Sequence, residues 1–133
     1  MSGDDRPWIL VVDDSPANLI AVEAVLQPLD VEVVTAGSGE EALWPLLRHD
    51  FAVVILDVAM PGMDGFETAT RIRERDRNRA MPIVFLTAHR IPASAARVLA
   101  LGAAEYLEKP IDPDLLRAKV AGYLSGRLAS SLP

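Results

Sequence analysis

Five short apolar runs, separated by longer stretches of helical periodicity, constrain this chain more than any other feature. They are WILVV at 8–12, VEVVTA at 31–36, AVVIL at 52–56, IVFL at 83–86 and AAEYL at 103–107. Four are aliphatic or β-branched stretches of strand length, and three show little polar alternation. A strand wetted on one face alternates, whereas one covered on both faces does not. The fifth run is Ala-rich and ambiguous by propensity alone.

Helical signals fill the gaps. Ser15-Pro16 supplies a cap and a first-turn proline, and Leu19, Val22, Ala24, Val25, Leu26 and Leu29 form an apolar stripe after it. A second helix starts near Ser38, where Glu40 and Glu41 suit the positive helix end, and carries Ala42, Leu43, Leu46 and Leu47. Pro45 lies inside that pattern and should kink or shorten it. Residues 66–75 and 92–101, the latter closed by Gly102, read as two more helices. Asp112-Pro113 opens the last, with Leu115, Leu116, Val120 and Leu124 facing inward. Strands alternating with helices imply an α/β fold, a parallel sheet covered on both faces through right-handed crossovers.

The 133 residues suit one domain, expected over 8–125, with a tail at 1–7 and a tail or linker at 126–133. No apolar run approaches the roughly 20 residues of a membrane span. The start, MSGDDRPW, lacks the basic flank and apolar stretch of a secretion signal, so a cytoplasmic location is expected. The absence of cysteine excludes disulfides, thiol chemistry and cysteine-ligated metal. A net charge of -6 argues against direct nucleic-acid binding, but also fits carboxylates gathered around a cation.

In an open parallel sheet, ligands bind beyond the carboxyl ends of the strands. Asp13 and Asp14 follow the first run, Asp57 the third, Thr87 the fourth and Lys109 the fifth. The second run ends without such a residue, as an edge strand can. Three carboxylates brought close together repel and raise one another's pKa unless a cation sits among them. Oxygen-only ligands favour a hard ion such as Mg²⁺. Lys109 can hold a phosphoryl oxygen as a point charge, and Thr87 can donate a hydrogen bond to another. A carboxylate can itself attack phosphorus to give an aspartyl phosphate. Asp57, at the end of an apolar strand and before the tight PGMDG turn, is the best placed nucleophile. Asp64 reads as a helix cap, and Arg71, Arg73, Arg75, Arg77 and Arg79, interleaved with Glu74 and Asp76, as a solvated face.

LVVDDS, LDVAMPGMDG, FLTA and EKP, in that order at strand ends, resemble the receiver domain of two-component response regulators over nearly the whole chain. The resemblance implies a flavodoxin-like strand order, 2-1-3-4-5. It makes Asp57 the acceptor of a phosphoryl group from a histidine kinase or histidine phosphotransfer domain. Asp14 would bind Mg²⁺ directly, together with Asp57 and the main-chain carbonyl of Ala59, and Asp13 would act through water. Thr87 and Lys109 would hold the phosphate, and Lys109-Pro110 would be joined by a cis peptide bond. Tyr106 would be the switch aromatic, moving inward as Thr87 moves to the phosphate. The helix at 92–101, the fifth strand and the last helix would form the surface that meets a downstream output protein or domain, and the same surface could join two copies.

Ala59 and His89 fall where the family varies and where side chains influence how long the phosphate survives. Trp44-Pro45 is not a pattern associated with this helix in the family, and the DDSPANL opening resembles receivers of hybrid sensor kinases and multidomain regulators. The expected role is a signalling module acting on itself rather than an enzyme. One rival is an aspartyl-phosphate phosphatase of the haloacid dehalogenase type, although such enzymes place the nucleophile after the first strand. The other is a receiver-like interaction module that is never phosphorylated.

Overall fold

The computed structural model describes residues 6–75, 78–88 and 104–130. The expected helix at 92–101 and His89 lie outside the described residues. The elements are β1 (Trp8–Val12), α1 (Pro16–Leu26), β2 (Glu32–Ala36), α2 (Gly39–Arg48), β3 (Val53–Asp57), α3 (Gly65–Arg73), β4 (Ile83–Thr87), β5 (Ala104–Glu108) and α4 (Pro113–Ser130). The Ala-rich fifth run is a strand: parallel pairing with β4 decides what propensity left open.

All five strands are parallel, in the order β2-β1-β3-β4-β5. This is the expected flavodoxin-like order, with β3 at the centre and β2 at one edge. Successive residues point to opposite faces, so each strand feeds two cores. Leu10, Val12, Val54, Leu56, Ile83 and Phe85 pack with Ala42 and Leu46 of α2 and Phe66 and Ile72 of α3. Ile9, Val11, Val53, Ile55 and Val84 pack on the other side with Val22 and Leu26 of α1 and Leu116 and Val120 of α4. Arg117 ties α1 to α4 by donating from Nε to the Val25 carbonyl at 2.9 Å.

The register sets the geometry of the carboxyl edge. Val12 is level with Leu56, and Asp57 with Leu86. The residues just after β1 and at the end of β3 are therefore neighbours. Thr87 is level with Glu108, which brings Lys109 to the same rim.

Several local expectations change. Pro45 does not shorten α2: the helix runs on to Arg48, and the His49 N–H closes onto the Pro45 carbonyl at 2.9 Å. A proline removes only its own N–H bond, and one further turn after it suffices to end the helix. Ala24 and Leu115 face solvent, while Val22, Leu26, Leu116 and Val120 fill the inner face. α4 continues to Ser130, into the stretch expected as a tail or linker; good helix formers at Arg127, Leu128 and Ala129 outweigh one glycine. Arg73 leaves the solvated face, half-buried, with Nη1 donating to the Asn78 carbonyl at 2.6 Å and its pKa lowered by burial.

Two glycines in helices should respond oppositely to a methyl group. A Cβ at Gly65 would lie 2.4 Å from the Asp57 carbonyl oxygen and 2.8 Å from the Val58 Cα, both backbone atoms with little freedom to yield. Gly65→Ala is expected to lower stability by about 1–3 kcal/mol. Gly122, where a Cβ meets nothing within 4 Å, should gain roughly 0.5–1 kcal/mol on conversion to Ala. Urea unfolding of the two variants checks both signs.

Candidate functional site

Each strand end contributes one part of the site. Asp13 follows β1 and is only 2% exposed. Its backbone N–H donates to the Ala36 carbonyl at 3.1 Å, which fixes it against the end of β2. Its Oδ1 accepts from the Ser15 N–H at 2.9 Å. Ser15 is the N-cap of α1, its hydroxyl accepting from the Asn18 N–H, so the cap orients the acidic residue two positions earlier. Sequence reasoning did not give Ser15 this part, although DDSP carries the signal. Asp14, next in the chain, is exposed.

Asp57 ends β3 with 3% exposure, beneath a loop that turns sharply away. The Gly65 N–H donates to the Val58 carbonyl at 2.9 Å, and Gly62 takes a positive φ of 73°. Close approach at Gly65 and left-handed backbone at Gly62 give the two glycines of PGMDG separate reasons. Asp64 is the N-cap of α3, accepting from the Glu67 N–H at 2.8 Å. Thr87 ends β4, buried, and its carbonyl accepts the Lys109 N–H at 2.6 Å. The peptide between Lys109 and Pro110 is cis.

These parts meet. Lys109 Nζ lies 2.6 Å from Asp57 Oδ1 and 4.0 Å from Asp13 Oδ2. Carboxylate oxygens of Asp13, Asp14 and Asp57 all lie within 4.8 Å of one another. Ala59 sits exposed in the β3–α3 loop, two residues past Asp57. Tyr106 stands apart, level with Phe85 on β5 and 38% exposed.

The electrostatics are unbalanced. Three carboxylates face one ammonium. Asp57's pKa is raised, foremost by burial and further by the charges of Asp13 and Asp14; the Lys109 hydrogen bond and charge oppose the rise without cancelling it. Asp13 Oδ2 is buried without a hydrogen-bond partner. A buried anionic oxygen in that condition is costly and asks for a cation. The donor set is oxygen-only and partly open to water, which fits a hard divalent ion such as Mg²⁺. Chemically, the arrangement offers an oxygen nucleophile on a rigid strand, a cation-seeking cluster, and a lysine and threonine able to bind an anion.

The match to known proteins agrees with this geometry. A family model for the response regulator receiver domain matches residues 9–121. Sensor protein GacS of Pseudomonas syringae pv. syringae is 38% identical over 130 residues, 96% of this chain and 14% of that protein. Response regulator Rre1 of Synechocystis is 38% identical over 125 residues, covering 92% of this chain and 54% of that protein. The chain thus spans a small part of one curated relative and about half of the other. Among solved structures, the chemotaxis protein CheY4 of Vibrio cholerae superimposes with a TM-score of 0.83 at 35% identity, over 89% of this chain and 98% of that one.

Asp57 should shape stability. The folded state holds its proton more tightly than the unfolded chain does, so its contribution favours folding at acid pH. That contribution is lost as pH rises from the unfolded value of 3.8 through the raised native value. With chelator present, Asp57→Asn should melt higher than the parent near neutral pH, and the gap should close as pH falls toward 3.8. Thermal melts across that range check the sign.

Proposed function

The chain belongs to the response regulator receiver family, and from that premise we propose that it is a phosphorylation-dependent switch whose acceptor is Asp57. The observation that carries this reading is the Lys109 Nζ–Asp57 Oδ1 pair, 2.6 Å long, set among three carboxylates at one sheet edge. In the proposed reaction, an Asp57 oxygen attacks the phosphorus of a phosphohistidine on a kinase or phosphotransfer domain. A P–O bond forms, the P–N bond breaks, and the imidazole leaves with the bond pair and takes up a proton.

The residues divide the work. Burial on β3 holds the Asp57 carboxylate in one orientation, which positions it for in-line attack. Asp14 and Asp57 would hold Mg²⁺ with the Ala59 carbonyl, Asp13 acting through water, and the ion would supply charge neutralisation between carboxylates and phosphoryl oxygens. Lys109, already at Asp57, is placed to pair with a phosphoryl oxygen once the carboxylate is esterified. Thr87, level with Glu108 one strand over, would donate its hydroxyl to another. The inward shift of Tyr106 would follow Thr87, and the β5 and α4 surface would change its affinity for an output partner. Two copies joining through that surface belongs to the same reading.

A cytoplasmic setting, where a kinase could reach Asp57, completes it; among the described residues no helix is long and apolar enough to cross a membrane. The haloacid dehalogenase alternative fits less well, because the buried acceptor ends the central third strand rather than the first.

Acetyl phosphate with Mg²⁺ should add one phosphoryl group, read by intact mass, and chelator or Asp57→Asn should abolish it. Uptake persisting in Asp57→Asn would move the acceptor elsewhere. Mg²⁺ alone should raise the melting temperature of the parent chain, with most of the gain lost in Asp14→Ala. Lys109→Ala should still accept phosphate, more slowly, while its affinity for an output partner no longer responds to phosphorylation.

A further inference from the structure

The Trp44-Pro45 departure lies on an open face of α2. Trp44 is 63% exposed and Leu47 45%, an unusual amount of large apolar surface on a ten-residue helix. Trp44 and Arg48 line a hollow of about 430 Å³ together with Trp8, Val34, Pro45 and His49. Its floor is firm, with the Trp8 and His49 rings stacked at 4.0 Å between centroids. The hollow sits at the amino end of β1, whereas the first turn of α2 reaches the other end of the sheet, where Glu40 lies beside Gly62 of the loop that follows Asp57.

The charges on either side of Trp44 specify an occupant. Glu40 and Arg48 are four residues before and after it, so the three share one ridge of the helix. Both charged residues are exposed, and among the described residues neither forms an ion pair. The ridge therefore reads negative, apolar, positive. A second α2 laid antiparallel across a two-fold axis at Trp44 presents the reverse order. Glu40 then meets Arg48 of the other copy, Arg48 meets Glu40, and the two indoles cover each other.

We infer that α2 is a self-association surface, and that its partner is a second copy of this chain paired antiparallel through Glu40, Trp44 and Arg48. The contact is isologous, so one self-complementary patch closes the dimer. Packing of like ridges spaced four apart is the common crossing of globular helices. Arg48 beside two indoles gains a cation–π contribution as well. The inference does not depend on Asp57 being a phosphoacceptor.

Sedimentation equilibrium on the full chain tests this, with matched circular dichroism melts to show that the surface variants fold. The parent should self-associate with rising concentration, and Trp44→Ala should weaken the association by at least about tenfold. Glu40→Arg and Arg48→Glu should each lose it, since each puts like charges opposite one another. The double variant carrying both exchanges should recover it. An equimolar mixture of the two single variants should form heterodimers, because one copy then offers two cations and the other two anions. A parent that stays monomeric at all accessible concentrations would overturn the inference. So would association indifferent to the single exchanges, or a double variant no better than either. Failure here leaves phosphate uptake at Asp57 untouched, and failure of that uptake leaves the dimer untouched.

Discussion

The structure turns on keeping charge buried at one edge of the sheet. Asp57 and Asp13 are 3% and 2% exposed, and one lysine serves both. Burying a carboxylate costs several kcal/mol of desolvation, and Lys109, its side chain 27% exposed, offsets only part of it. Asp13 Oδ2 accepts no hydrogen bond, with Lys109 Nζ 4.0 Å away. A protein selected for stability alone would replace these residues with apolar ones. The arrangement makes physical sense under the proposed function, in which the site receives positive charge and then a phosphoryl group.

The rest of the fold makes that cost tolerable. Val53, Val54, Ile55 and Leu56 are each fully buried in β3. At roughly 1.5–3 kcal/mol per side chain, they contribute some 6–12 kcal/mol before chain entropy, more than the several kcal/mol of desolvating one carboxylate. Parallel pairing on both sides then fixes the strand end. The opposite shape of the next segment follows from the same need. Gly65 lets the chain fold back against the Asp57 carbonyl, where any Cβ would come within 2.4 Å of the oxygen.

Much of this was legible in the sequence because it is written in local chemistry. Apolar runs without alternation gave a doubly covered parallel sheet, and a polar residue after four of the five runs gave the rim where Asp13, Asp14, Asp57, Thr87 and Lys109 meet. The misses have a common origin, since local signals do not specify tertiary neighbours. Ala24 and Leu115 fit their apolar stripes yet face water, because α1 and α4 bury only narrow faces against the sheet. Arg73 belongs to a run of charged residues, but its guanidinium is held by the Asn78 carbonyl five residues on. Pro45 signalled a break and was tolerated one turn from the helix end.

Sequence gave no hint that the acidic site and α2 share a mechanical link. A Cβ at Gly39, the first residue of α2, would fall 2.1 Å from Thr68 Oγ1 and 3.1 Å from Met63 Sδ. Met63 lies in the loop that leaves Asp57, and Thr68 in the helix that follows it. That corner has no slack, so displacement of the loop must move either α3 or the first turn of α2. Coupling between two sites requires contacts that differ between two states. An α2 dimer would therefore sense the proposed acceptor only if its phosphorylation shifts this corner. If Gly39 keeps its packing in both states, the acidic site and an α2 dimer act independently, however tightly each binds its partner.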